Sequence, residues 1–210
     1  MYEIGAKSQS GCVRFLRLFL FRLIPYTLPM RITGGRYLNR KIRCPKGVIR
    51  PAMDRMRESM FSILGDIEGN AFLDLFSGSG LVGIEAASRG AEPVVLVERD
   101  RKKLPVIKAN MSIVESEIRL LGTSAESFLK KADQNSFDIV YLDPPFDYPR
   151  KAELITLVGE SGILRPRGLC LIHYPREDRL PEAAGGLEEA DTRTYGRSIL
   201  RFYHVERYPN

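Results

Sequence analysis

Two short stretches concentrate the residues able to do chemistry. The apolar run FDIVYL ends in Asp143-Pro144-Pro145-Phe146, and the run AFLDLF ends in Ser77-Gly78-Ser79-Gly80, with Glu98 closing the next apolar run 20 residues after Gly78. Glycines at a strand-to-helix corner let the backbone approach a ligand, and the helix start offers unpaired N–H groups. A carboxylate at the end of the following strand accepts hydrogen bonds from both hydroxyls of a ribose. Gly78, Gly80 and Gly83 spell GSGLVG, but an acidic DLFS corner precedes them, with Asp74 four residues before Gly78. An acid there repels a pyrophosphate and suits the amino-acid end of S-adenosylmethionine, so the corner favours that cofactor over NAD. In the tetrapeptide, two prolines hold the Asp143 carboxylate and the Pro144 carbonyl as fixed acceptors, and Phe146 supplies a flat face. The combination suits an exocyclic amine of a nucleobase. Its lone pair is delocalised into the ring, and two acceptors gripping the N–H bonds would aim that lone pair at a methyl donor. Positioning and electrostatics carry such a reaction, with no covalent intermediate.

These residues must be brought together by the elements around them. Strand-like runs fall at 71–76, 93–98, 118–121, 137–142 and 168–173, and helical segments at 81–89, 102–112, 125–132 and 151–159 fill the gaps. Short buried strands alternating with helices predict an α/β fold with a parallel sheet covered on both faces. The tail LEEADTRTYGRSILRFYHVERY breaks the rhythm and predicts an antiparallel hairpin turning at Tyr195-Gly196. Upstream, Met53, Met56, Met60, Phe61 and Leu64 recur at helical spacing, with Gly65 as the stop. The segment from Met30 to Pro51 is basic, has Gly34-Gly35 as a turn and shows no sustained helical period.

Composition excludes several classes. The chain has 210 residues, 44% of them hydrophobic, and three cysteines far apart, which support neither a disulfide framework nor a zinc knuckle. A reducing, cytoplasmic setting fits, and no metal set is expected. The formal charge of +6 is unevenly placed. Lys7, Arg14, Arg17 and Arg22 against Glu3 put half of the excess into residues 1–29. That leader is too short in its apolar run and too interrupted by arginine for a membrane span or a secretory signal. An amphipathic surface helix is the alternative to the favoured reading, in which Met30 is the physiological start. The expected organisation is a leader over 1–29, a basic extension and helix over 30–65, and a catalytic domain over 66–210.

DLFSGSG, Glu98 and DPPF together resemble the class I S-adenosylmethionine-dependent methyltransferases that modify amines. With MRITGGRYLNRKI and RPAMDRMRESMFSIL, residues 30–210 resemble the bacterial 16S rRNA guanine-N2 methyltransferase family. That resemblance implies a Rossmann-like, seven-stranded, mostly parallel sheet with an antiparallel last strand. It also implies methyl transfer from S-adenosylmethionine to the N2 amine of one guanine in 16S ribosomal RNA or a small-subunit particle. Nothing in the sequence suggests an obligate dimer, so a monomer is expected. By the same resemblance, Asp74, Phe76, Gly78, Gly80, Glu98 and Arg99 bind the cofactor, and Asp143, Pro144, Pro145 and Phe146 hold the base. Arg31, Arg36, Arg40, Lys41 and Arg43, with Tyr37 interleaved, read as a docking surface for RNA phosphates. Arg50, Arg55 and Arg57 extend it, in a stretch that with Asp54 and Glu58 borders cofactor or RNA.

Two positions depart from the family pattern. Ser124-Ala125 follows the third strand where an Asp-Ala pair is usual, so either the serine hydroxyl or the backbone at Ala125 would meet the adenine. His173 stands where an acidic residue is expected, and reads as a packed, satisfied histidine. A DNA amino-methyltransferase is the competing enzyme, although 30–210 leaves little room for a region reading base edges. A non-catalytic ribosome-assembly module is the alternative outside enzymes.

Overall fold

A computed structural model of the chain describes residues 30–44 and 51–205, with side chains from Asp54 onward in the second stretch. The leader over 1–29 and Arg50 lie outside the described residues. Strands β3 (Phe72–Leu75), β4 (Val94–Val97), β5 (Ile118–Leu121), β6 (Phe137–Leu142) and β7 (Leu164–Pro175) run parallel in the order β5-β4-β3-β6-β7. All four residues of β3 and of β4 are buried, which is why these strands lack a polar face and, apart from Asp74, are apolar throughout. The tail forms the expected hairpin, β9 (Leu187–Tyr195) and β10 (Ser198–Val205), and β10 slots antiparallel between β7 and β9. The sheet has eight strands rather than seven. The additional one, β8 (Ala183–Ala184), is only two residues long and pairs with the outer edge of β9.

Helices cover both faces. On one, α4 (Ala125–Leu129) and α5 (Lys151–Glu160) pack Leu129, Leu154, Ile155 and Val158 against Leu73, Val140 and Leu142. On the other, α1 (Pro51–Leu64), α2 (Leu81–Ser88) and α3 (Leu104–Met111) pack Met56, Met60, Phe61, Ala86 and Ile107 against Phe72, Leu96 and Tyr141. The helical spacing of Met56, Met60 and Phe61 is thus the α1 face that meets the sheet. None of the helices among the described residues is long and apolar enough to cross a membrane.

The basic N-terminal stretch is a two-stranded ribbon, β1 (Met30–Arg31) and β2 (Lys41–Ile42). It seats Ile32, Tyr37 and Ile42 on Leu81 and Ile84 of α2. Tyr37 is therefore a core residue: its ring is buried, and its hydroxyl accepts the Glu115 backbone N–H at 2.9 Å. It is not available to stack on a base. Ser88 ties the ribbon down, donating to the Gly34 carbonyl at 2.6 Å and accepting from the Tyr37 N–H at 2.8 Å.

Arg57 requires a second correction. Its guanidinium is only 3% exposed, bonded through Nε to Glu85 at 2.6 Å and through its terminal nitrogens to Asp54 and the Arg31 carbonyl. Phosphate cannot reach it. Glu85, fully buried, also receives Arg89 at 3.0 Å and the Thr33 hydroxyl. The acid and its two arginines join α1, α2 and the ribbon, and removing one partner leaves a buried charge short of compensation. Replacing Arg57 with Met should lower the unfolding free energy by about 3 kcal/mol, read as a shift of the urea midpoint at unchanged slope. A shift within error would mean that Arg89 alone satisfies Glu85.

Candidate active site

Parallel pairing places the carboxyl ends of β3, β4, β6 and β7 along one rim, where open α/β sheets bind ligands. A cavity of about 640 Å³ opens there. One wall is the corner after β3. Phe76, Gly78 and Gly80 adopt left-handed φ of 68°, 59° and 79°, so three of five consecutive residues reverse the chain in a region that side chains disfavour. Phe76 is held there by an edge-on contact with Tyr148, with ring centroids 5.5 Å apart. The third glycine of GSGLVG serves packing: a Cβ on Gly83 would lie 2.1 Å from a Leu96 methyl, so its absence lets α2 settle onto β4.

Glu98 forms the floor of this wall. It is 5% exposed, with one oxygen accepting the Gly78 N–H at 2.9 Å and the other the Asp100 N–H at 2.8 Å. Lys103 approaches within 3.6 Å. Two backbone donors lock the carboxylate in place, and a carboxylate has about four acceptor directions, so two remain for ligand hydroxyls. Arg99 lines the same wall.

The opposite wall is Asp143, Pro144, Pro145 and Phe146. The Asp143 N–H bonds the Leu75 carbonyl at 3.2 Å, tying the start of the tetrapeptide to the start of the glycine corner. Downstream, Lys151 is buried, its ammonium donating to the carbonyls of Phe146 at 2.7 Å and Tyr148 at 2.8 Å while pairing with Asp178 at 2.8 Å. A buried lysine with three partners fixes the loop that carries Phe146. Tyr148 lines the cavity and donates its hydroxyl to Glu126. Burial first, and that hydrogen bond second, push its pKa up to about 12.

Phe76, Gly78, Glu98, Arg99 and the tetrapeptide thus converge on one cavity. Four expected cofactor residues do not line it. Asp74 is 1% exposed and accepts the Gly83 N–H at 3.1 Å, so it braces the first turn of α2 from beneath the corner. Gly80 caps α2 and is buried. The Ser124 hydroxyl is spent on the N-cap of α4, accepting the Ser127 N–H at 3.1 Å, and Ala125 is buried behind it. His173 also differs from expectation. It lines the cavity, and its Nδ1 lies 2.8 Å from Asp143 Oδ1. Among missed residues, Lys151, Lys103 and Ser198 carried no motif; Tyr148, two positions beyond Phe146, offered only its aromatic character.

The basic ribbon is coupled to this site. The Asn110 side chain exchanges hydrogen bonds with the Arg43 backbone in both directions and donates to the Ser79 carbonyl at 2.9 Å. One amide therefore joins the ribbon's exit to the glycine corner. Arg31, Arg36, Arg40, Lys41, Arg43 and Arg55 are exposed, with Arg36 pairing Glu115 at 3.1 Å.

The family model described as Conserved hypothetical protein 95 matches residues 30–204. The chain belongs to that family. It is 34% identical over 180 residues to the Bacillus subtilis protein YlbH, covering 83% of this chain and 98% of that one. It is 32% identical over 180 residues to Escherichia coli ribosomal RNA small subunit methyltransferase D, covering 84% and 90%. The solved structure of Escherichia coli yhhF superposes with a TM-score of 0.74 at 31% identity, covering 86% of this chain and 99% of that one. The fold is that of a class I methyltransferase, with the eight-stranded mixed sheet described above.

Asp74 provides a direct check on the site's electrostatics. Burial, opposed by the Gly83 N–H and reinforced by Asp143 and Glu98, holds its pKa well above the usual carboxylate range. A raised folded-state value contributes stability at acidic pH that is lost as pH rises through it. Asp74→Asn, which keeps an acceptor for Gly83, should therefore gain stability relative to the parent as pH rises above the usual carboxylate range. It should also bind S-adenosylmethionine within about threefold of the parent, since an amide keeps the brace's hydrogen bond. Thermal melts across pH and calorimetric titration read the two effects; loss of binding would restore Asp74 as a direct contact.

Proposed function

We propose that this protein transfers a methyl group from S-adenosylmethionine to the exocyclic N2 amine of a guanine in 16S ribosomal RNA, free or within a small-subunit particle. The single observation carrying the reading is the cavity itself, where a locked carboxylate on one wall faces a fixed amine-gripping tetrapeptide on the other. The residues present fit the cofactor: Glu98 for its ribose hydroxyls, the Gly78 backbone for close approach, and Phe76 with Arg99 along the same wall. When bound, S-adenosylmethionine supplies a methyl group on a positively charged sulfur.

The chain's own contribution is orientation. Asp143 and the Pro144 carbonyl accept the two N–H bonds of the target amine, and the proline-stiffened backbone that carries them limits reorganisation as positive charge develops on its nitrogen. Asp143 is close enough in character and position to receive the proton released when the N–C bond forms. Phe146 stacks on the base, which must leave its own stack to reach the rim. Arg31, Arg36, Arg40, Lys41, Arg43 and Arg55 offer phosphate contacts, and Asn110 holds the ribbon that carries most of them against the cofactor corner. Relatives named as rRNA methyltransferases support ribosomal RNA as the acceptor.

Incubation with labelled S-adenosylmethionine and either small-subunit particles or duplex DNA, followed by nucleoside digestion, tests this. Label should appear in N2-methylguanosine from the particles; label in N6-methyladenosine from DNA would overturn the substrate. Asp143→Ala should slow transfer by at least about 100-fold with cofactor affinity nearly unchanged. Retained turnover would remove Asp143 from the reaction.

A further inference from the structure

His173 is polar, only 2% exposed, and unused by the mechanism above. It ends up beside Asp143 because Leu142 on β6 faces Ile172 on β7, so the next residues of both strands emerge together at the rim. Nδ1 lies 2.8 Å from Asp143 Oδ1, and the imidazole meets Phe146 edge-on with centroids 5.2 Å apart. One histidine thus touches both the acceptor and the stacking residue of the tetrapeptide. Its Nε2 is sealed from solvent and has no partner among the described residues.

That arrangement determines the tautomer. A proton on Nε2 would be a buried donor without an acceptor and would turn the Nδ1 lone pair toward a carboxylate 2.8 Å away. In the neutral form of the ring the proton is therefore on Nδ1 and is donated to Oδ1. The two prolines fix the backbone that carries Asp143, as the sequence suggested, but leave its carboxylate free to rotate about its last bond. A donor fixed on Oδ1 removes that freedom and turns Oδ2 to the cavity.

We propose that His173 is a positioning residue for Asp143: its Nδ1–H clamps Oδ1, so that Oδ2 is presented to the target amine in one orientation. The inference rests on the proposed role of Asp143 as the amine's acceptor. It assigns to an imidazole a task that sequence reading took for packing, and explains why a buried ring keeps an unsatisfied nitrogen: only the Nδ1 side is in use.

The test compares His173→Leu, which has no donor, with His173→Asn, whose amide N–H falls near the Nδ1 position. Transfer from labelled S-adenosylmethionine to small-subunit particles is measured over a range of particle concentrations. Misplacing a reacting group by about 1 Å costs on the order of 100-fold, so His173→Leu should lower kcat by about 10- to 100-fold with KM and cofactor affinity nearly unchanged. His173→Asn should recover most of that loss. In an Asp143→Ala background, His173→Leu should have no further effect, because the group it orients is gone. Where the Leu variant fails to fold, His173→Gln replaces it: its longer amide reaches the Nε2 position, and it should be slow where Asn is fast. Equal rates for Asn and for Leu or Gln, or a full further loss in the Asp143→Ala background, would overturn the proposal. The rates are taken on whichever nucleoside is labelled, so a label other than N2-methylguanosine overturns the substrate reading alone. A parent protein that labels no nucleic acid overturns both.

Discussion

Pairing of β6 between β3 and β7 is the constraint from which the site follows. The Asp143 N–H donates to the Leu75 carbonyl, and the β6–β7 ladder keeps Leu142 opposite Ile172, which brings the glycine corner, the tetrapeptide and His173 to one rim. Because the strands are parallel, their carboxyl ends share a side of the sheet, and groups separated by 30 to 100 positions become neighbours without any side chain having to reach far. Burial on both faces makes that pairing hard to slip, since a one-residue shift would exchange the two cores.

Ionisable groups buried beneath this rim support it. Asp74 under the corner, Glu85 with Arg57 and Arg89 behind α2, and Lys151 beneath the Phe146 loop are each removed from water and each bonded to backbone or to an opposite charge. Such groups cost desolvation energy and return geometric definition: each accepts or donates in fixed directions, which apolar contacts do not provide. Glu98 and the tetrapeptide, which line the cavity, are therefore mounted on a fixed base. The basic ribbon belongs to the same frame through Ser88 and Asn110, so a ligand seated on its arginines would have a defined relation to the cavity.

Much of this was legible along the chain. FDIVYL coincides with β6 from Phe137 to Leu142, IRLL with β5, and the α2 and α5 boundaries fall within one residue of the expected ones. Motif residues that touch the cavity were also legible, because glycine corners and proline-stiffened turns have local causes. Asp74, Ser124 and Arg57 were misread for a common reason. Each is a polar residue whose type suits a ligand, and each is instead consumed by a neighbour, Gly83, Ser127 and Glu85 respectively, whose proximity depends on folding. Tyr37 failed likewise, its ring buried against α2 rather than offered beside the arginines.

Composition, hydrophobic period and local motifs by themselves determined an α/β chain with parallel strands, a glycine corner and a proline-stiffened turn, since these depend on neighbours within a few residues. Register was decided only in three dimensions. Phe137 faces Leu164, yet two residues later Ile139 faces Leu169, because β7 carries extra residues around Arg167, whose φ is 69°. That irregularity moves β7 along β6 before the rim is reached, and it sets His173 rather than Cys170 against Asp143. Nothing periodic in the chain encodes the shift, because strand alternation specifies which face a side chain takes and leaves the partner opposite it to the packing of the whole sheet.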